Sequence, residues 1–159
     1  MAKEKFSLGS TSGLEGSRDV AWRAFITAYA LVMERIEREL AEAGLPPLGW
    51  YDVLLELSVA PERRLRMHEL ARAVVLSRSG LTRLVDRLEQ AGLLRREPDP
   101  ADRRGSFAIL TDEGAAMRER MWPIYARGIA EHFGKHLNDE EVDVLTGALK
   151  RVLSAAREV

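Results

Sequence analysis

The sequence of 159 residues contains no cysteine, which excludes structural disulfides, thiol nucleophiles and thiol-based redox sensing. It also lacks a Gly-rich phosphate-binding loop, a nucleophile elbow and the His-Glu-x-x-His signature of zinc hydrolases. The longest apolar stretch, residues 20–33, is interrupted by Arg23 and is too short to cross a bilayer. We therefore expect neither an enzyme nor a membrane protein, and we expect no cofactor.

The N-terminal stretch is polar and rich in glycine and serine, and it does not resemble a signal peptide. We interpret residues 1–16 as a flexible arm and expect a cytoplasmic protein. The rest of the chain has the composition of a globular protein, since 46% of the residues are hydrophobic and 31% are charged.

Charge is unevenly distributed although the net charge is only -1. Between Glu62 and Arg104 there are eleven arginines and no lysine against seven acidic residues, which gives a local charge of +4. The remainder has 13 basic and 18 acidic residues, or -5. A basic middle segment that uses only arginine indicates contact with a polyanion, because arginine pairs with phosphate and guanine.

The segment from Ser77 to Gly92 has the spacing of an amphipathic helix, with Ser77 as a candidate N-cap and Gly92 as its end. One face is apolar (Leu81, Leu84, Val85, Leu88). The opposite face carries Arg78, Ser79, Thr82, Arg83, Asp86 and Arg87. Hydroxyl and guanidinium groups reach phosphates and base edges in DNA, so this face is a candidate DNA-reading surface. The alternative is an ordinary solvated helix face.

The flanking segments favour DNA recognition. A short helix over residues 67–75 precedes the amphipathic helix across a tight turn, which is the helix-turn-helix pattern. Two short strands follow, joined by a polar loop that carries Arg103 and Arg104. Such a loop can simply be solvated. After a helix-turn-helix, it is interpreted as a wing that reaches a groove or phosphates.

Long amphipathic helices surround this unit. One is predicted over residues 17–43, with Ser17 as its cap, and another from Thr111 to about Leu137, with Pro123 inside it. Asn138 and Glu141 form a capping box for the last helix. The predicted fold is mainly α, a winged helix-turn-helix with six helices and a two-stranded β wing. Residues 48–110 form the DNA-binding lobe, and residues 17–47 and 111–159 form a helical lobe with enough apolar surface for a homodimer interface.

Together these segments resemble the MarR family of bacterial transcriptional regulators. The most specific motifs are MHELARA (67–73), LSRSGLTRLVDRLE (76–89), GLLRR (92–96) and DPADRRGSFAILTDEG (99–114). The resemblance implies an obligate dimer whose N- and C-terminal helices form the dimer lobe. It places a recognition helix in the major groove of a pseudo-palindromic operator and the wing in the minor groove.

The resemblance also implies individual roles. Five side chains would face bases and nearby phosphates (Ser77, Arg78, Ser79, Thr82, Arg83). Arg87 would contact the DNA backbone, and Arg104, together with Arg103, would be the minor-groove contact. Asp102 would support the wing by a salt bridge to its arginine. Arginine in a narrow minor groove is also what electrostatics favours.

Family members often bind small aromatic or phenolic anions between the two lobes. The candidate pocket residues here are Trp22, Phe25, Tyr29, Trp50 and Asp52, although aromatic side chains at these positions can equally be core or dimer contacts. His132 and His136 have metal-ligand spacing, but no third ligand accompanies them and no metal site is predicted. We therefore expect a ligand-responsive repressor. The alternative is an architectural DNA-binding protein without an effector.

Overall fold

The computed structural model describes residues 16–74 and 78–157. Six α-helices and three strands follow one another along the chain. They are α1 (Gly16–Glu42), α2 (Leu48–Val59), β1 (Arg64–Arg66), α3 (Met67–Ala73), α4 (Arg78–Gln90), β2 (Leu94–Asp99), β3 (Asp102–Leu110), α5 (Asp112–His132) and α6 (Asp139–Arg157). Within these ranges, no helix combines the length and apolarity needed to cross a bilayer.

The predicted helices are confirmed, and their ends follow local capping. Thr111 caps α5, because its hydroxyl accepts a hydrogen bond from the Gly114 N–H at 3.1 Å. Asn138 and Glu141 exchange the two bonds of a capping box, each at 2.9 Å. Gly92 has a φ of 74° and ends α4, as expected for a left-handed C-terminal residue. Several boundaries differ from the prediction, since Ser17 lies inside α1, α3 ends at Ala73 and α5 ends at His132.

The three strands form one antiparallel sheet in the order β1-β3-β2. The β2–β3 hairpin, residues 94–110, is the predicted wing. The first strand extends it to three strands, because Arg66 of β1 pairs with Phe107 of β3. This added strand connects the wing directly to the start of α3.

Two groups of buried side chains hold the helices together. The first joins α2, α3, α4 and the sheet around Leu54, Leu57 and Leu88. The second joins α1, α2 and α5 around Ile36, Leu40 and Met121. Met117 of α5 packs against both groups. The helix therefore runs from the winged unit to the helical one.

Candidate nucleic-acid interface

Helix α4, the recognition helix, is amphipathic as predicted. Leu81, Val85 and Leu88 are buried in the winged core. The Thr82, Arg83 and Arg87 residues on the other side are exposed. The predicted contacts of Ser77, and of the side chains of Arg78 and Ser79, lie outside the described part of the chain. The described part of the helix thus presents a polar and cationic face to solvent.

Asp86 is an exception to the predicted polar face. Its carboxylate accepts a hydrogen bond from the Arg96 guanidinium at 2.6 Å. The same guanidinium donates to Glu89 at 2.9 Å and 2.7 Å, and the Arg96 backbone N–H donates to Glu89 as well. These side-chain and backbone hydrogen bonds from Arg96 lower the pKa of Glu89. Asp86 therefore belongs to a contact that fastens α4 to β2 of the wing.

The wing brings its two arginines to the exposed end of the hairpin. Arg103 and Arg104 are both exposed. A groove of about 520 Å³ separates the wing from α3 and α4, and both Arg104 and Thr82 line it. Two of the predicted DNA-contacting elements, the recognition helix and the wing tip, therefore face one groove.

The role predicted for Asp102 needs a correction. Among the described residues, no ion pair joins its carboxylate to Arg103 or Arg104. Its Oδ1 instead accepts a hydrogen bond from the Arg104 backbone N–H at 3.0 Å. This local bond is favoured because an Asp side chain reaches the N–H two residues further on without distortion. Asp102 shapes the backbone of the turn and leaves the Arg104 guanidinium exposed.

A different aspartate of the wing is buried, and sequence reasoning missed it. Asp99 is 5% exposed. Its Oδ2 lies 2.8 Å from Arg66 Nε, and its Oδ1 accepts the Ala101 N–H at 2.9 Å. Asp99 stands between Pro98 and Pro100, a context typical of a solvated turn, so no signal in the sequence indicated that it is buried.

The five residues predicted to line a ligand pocket lie in different surroundings. Trp22, Phe25 and Tyr29 are exposed on α1, and the rings of the first two are 6.1 Å apart. Trp50 packs against the winged core. Asp52 stays accessible, but partial desolvation raises its pKa, and the negative charges of Glu56 and Glu37 raise it further.

An aromatic cluster of Tyr51, Trp122 and Tyr125 lies next to Asp52. The sequence did not indicate its two α5 members, Trp122 and Tyr125. The Tyr51 ring stacks on Trp122 at 6.1 Å and meets Tyr125 edge-on at 5.1 Å. Burial raises the pKa of Tyr125, and the charge of Asp52 adds to this effect. Asp52, with Glu37 and Glu56 near it, therefore places negative charge beside this cluster, which disfavours an anionic ligand there.

A second cavity of about 520 Å³ lies between α1 and the end of α5. Its lining combines the apolar Leu31 and Val32 with Arg35 and with an ion pair between Lys135 and Glu131 at 2.6 Å. His132 and His136 also line it, and His132 Nε2 lies 2.6 Å from Glu39 Oε1. Among the described residues, no group of three His, Cys, Asp or Glu side chains is arranged to hold a metal ion.

The fold is a winged helix-turn-helix, the architecture of a class of DNA-binding proteins, and its helix α4 and its wing line one groove. Comparison with known proteins identifies its family. The profile of the MarR family matches residues 43–105. The uncharacterized HTH-type transcriptional regulator YkoM of Bacillus subtilis is 32% identical over 130 residues, which make up 82% of either chain.

Solved structures agree with this result. AbsC, a MarR family transcriptional regulator from Streptomyces coelicolor, superimposes with a TM-score of 0.83 at 33% identity, covering 94% of this chain and 100% of AbsC. Sco3205, a MarR family regulator from the same organism solved in complex with DNA, gives 0.82 at 35% identity, covering 92% and 91% of the two chains. The chain belongs to the MarR family of DNA-binding transcriptional regulators.

Proposed function

We propose that the protein acts as a homodimer that binds a pseudo-palindromic operator in double-stranded DNA and represses transcription until a small ligand releases it. The observation that carries the DNA-binding part is the shared groove, which places Thr82 of the recognition helix opposite Arg104 of the wing. DNA binding is also supported by the similarity of this chain to Sco3205, which was solved in complex with DNA. The regulator would act in the cytoplasm, where it reaches its operator.

The proposed docking places α4 in the major groove and the wing in the adjacent minor groove. Thr82 and Arg83, with the preceding Ser77, Arg78 and Ser79, would face bases, whereas Arg87 would contact the backbone. Arg104, with Arg103, would lie in the minor groove, where negative potential is highest in narrow A-tracts. A dimer would present two such surfaces to half-sites about 34 Å apart.

The test measures binding to a duplex enriched by the wild-type protein from a randomised library. Replacing Arg104 with alanine should weaken binding about tenfold and lower the slope of log K against log salt by about one, because one phosphate-region contact is lost. Arg120→Ala is the matched control, since Arg120 is an exposed arginine of α5 outside the recognition helix and the wing. It should leave affinity and slope unchanged.

Two outcomes would contradict this part of the proposal. Wild-type affinity that stays flat from low to high salt would contradict DNA binding through phosphates. Unchanged affinity of the Arg104→Ala variant would remove the wing from the interface.

The proposed ligand is a small aromatic or phenolic anion. The acidic surroundings of Asp52 argue against the predicted pocket around Trp22, Phe25, Tyr29, Trp50 and Asp52 as the place where an anion binds. In the cavity between α1 and α5, apolar side chains adjoin Arg35, which is the candidate partner of the anion because Lys135 there is paired with Glu131.

A second function is an architectural DNA-binding protein without an effector. The acidic surroundings of the aromatic cluster favour it over anion sensing at that place. A thermal-shift screen with benzoate and its hydroxylated analogues distinguishes the two. A ligand that raises the melting temperature and weakens binding to the selected duplex supports the sensor, whereas no shift supports the architectural role.

A further inference from the structure

Asp99 is the one buried charged residue among those described, and its carboxylate bridges two elements. One oxygen accepts the Ala101 N–H at the tip of the wing. The other lies 2.8 Å from the guanidinium Nε of Arg66 at the start of α3. A buried carboxylate is costly unless a partner compensates its charge. Arg66 is that partner through its charge, because its Nε and Asp99 Oδ2 form a close ion pair without a hydrogen bond.

Arg66 lies at a helix start, where an arginine is unusual. It is the N-cap residue of α3, a position where Ser, Thr, Asp or Asn normally supplies an acceptor for the helix N–H groups. Arginine has no acceptor, and a cation at a helix N-terminus is unfavourable. The helix start is held in part by the Arg66 N–H donating to Glu69 at 2.9 Å. The Arg66 side chain contacts Asp99 and lies over the Phe107 ring, with its guanidinium carbon 5.5 Å from the ring centroid.

The ion pair also spans the sheet. Arg66 is on β1 and Asp99 ends β2, and these strands lie on opposite sides of β3. The β2–β3 register shifts at Pro98 and Asp99, so backbone pairing becomes irregular just before the tip. Asp102 cannot supply the missing restraint, because its hydrogen bond to Arg104 stays within the turn. Among the described residues, the contact to Arg66 is the one that ties the buried Asp99 carboxylate to the helix-turn-helix.

We infer that the Arg66–Asp99 ion pair fixes the wing tip relative to the recognition helix and so holds Arg104 in position for DNA. Asp99 is a positioning residue, not a DNA contact, and the inference rests on the wing role proposed above. Both members of the pair line the groove that Thr82 and Arg104 share. Loss of the ion pair should leave the Arg104 side chain intact but displace it from the position in which it contacts DNA.

A double-mutant cycle tests this with the duplex selected by the wild-type protein. In the wild-type background, Arg104→Ala should weaken binding about tenfold, whereas in an Asp99→Asn background it should weaken binding less than about twofold, because a displaced wing no longer delivers the arginine. Asp99→Asn alone should weaken binding about tenfold, a loss comparable to that of Arg104→Ala. Simple destabilisation of the fold would leave the two effects additive.

Asp112→Asn is the matched control. Asp112 also pairs with an arginine next to β1, Arg63, at 3.3 Å, but its side chain is exposed. The full effect of Arg104→Ala should persist in this background. The double variant Arg66→Gln/Asp99→Asn covers the case in which Asp99→Asn alone fails to fold, because it leaves no unpaired buried charge. It should show the same loss of dependence on Arg104.

The possible results separate the inference from the proposed function. A full Arg104→Ala effect in the Asp99→Asn or the double-variant background overturns the inference and leaves the wing contact intact. No Arg104→Ala effect in the wild-type background overturns the wing contact itself, and the inference fails with it. A reduced effect with Asp99 replaced and a full effect with Asp112 replaced supports both.

Discussion

Neighbouring charged residues of this protein differ in what surrounds them. Arg95 is exposed and forms an ion pair with Glu97, two residues further along the same strand. An exposed ion pair of this kind contributes little to the free energy of unfolding. Arg96, the next residue, is half-buried and binds two carboxylates of α4. Asp52 has the opposite environment, because burial, Glu56 and Glu37 all disfavour its negative charge. The Asp52 carboxylate is therefore unfavourably placed when it is ionised.

Replacing Asp52 with asparagine should stabilise the protein at neutral pH. The folded chain keeps the Asp52 proton at pH values where the unfolded chain has lost it, so the wild type loses stability as pH rises from 3.8, the ordinary pKa, through the raised pKa. The gain should be under about 1 kcal/mol, because solvent reaches the site. It should disappear below that ordinary pKa.

Denaturant titrations of both proteins at several pH values, at one protein concentration, measure this difference. Glu34→Gln serves as a control, since Glu34 is an exposed carboxylate that pairs with Arg38. A variant less stable than the wild type at pH 7 would show that Asp52 is favourably paired.

At the scale of elements, the start of α5 is a junction between the wing and the helical unit. The Leu93 carbonyl accepts the Thr111 N–H at 3.2 Å, and the Thr111 hydroxyl donates to the Gly92 carbonyl at 2.7 Å. Gly114 packs directly against the Leu93 backbone, since a Cβ on residue 114 would lie 1.9 Å from the Leu93 carbonyl oxygen. The glycine in the motif LTDEG is thus required by close packing of helix against backbone.

Gly114→Ala should destabilise the protein by about 2 kcal/mol or more, because a backbone atom must move to admit the methyl group. Gly49→Ala is the matched control in another helix, where the new Cβ would meet Leu84 at an ordinary 3.9 Å. It should be neutral or stabilising by up to about 1 kcal/mol, the helix-propensity difference between the two residues. Urea unfolding at equal protein concentration gives both values. Similar stabilities for the two variants would rule out the close approach.

At the scale of the whole molecule, much apolar surface lies outside the two cores of the single chain. No residue of α6 is buried, and Val144, Val152 and Leu153 of that helix are among its exposed hydrophobic residues. The α1 helix exposes Trp22, Phe25 and other large side chains. Many large apolar side chains exposed on the same helices are typical of an interface. It supports the proposed homodimer through the outer helices.

Val152→Asp should weaken the homodimer, with a dissociation constant raised at least about tenfold by burial of a charge in the interface. Val59→Asp is the matched control, because Val59 is also an exposed valine but lies on α2. Sedimentation equilibrium of both variants and the wild type measures the effect. A monomeric wild type, or equal weakening by both substitutions, would contradict the proposed interface.

Several features were predictable because their causes are local. The spacing of Leu81, Val85 and Leu88 made α4 amphipathic, and Thr111 and Asn138 capped their helices as expected. The hairpin with Arg103 and Arg104 at its tip also followed from turn-forming residues between two strands. In each case the interacting groups lie a few residues apart, so the order of amino acids alone determines the contact.

Other features were decided by tertiary structure. Arg66 and Asp99, Arg96 and the carboxylates of α4, and Tyr51 with Trp122 and Tyr125 are brought together by packing. The sequence determined which helices form, where the hairpin lies and that an arginine-rich surface faces solvent, whereas the pairing of β1 with the hairpin came from the fold. Only the packing of those elements decided which carboxylate each arginine meets, because a charged side chain is stabilised by whatever folding places within a few ångströms of it.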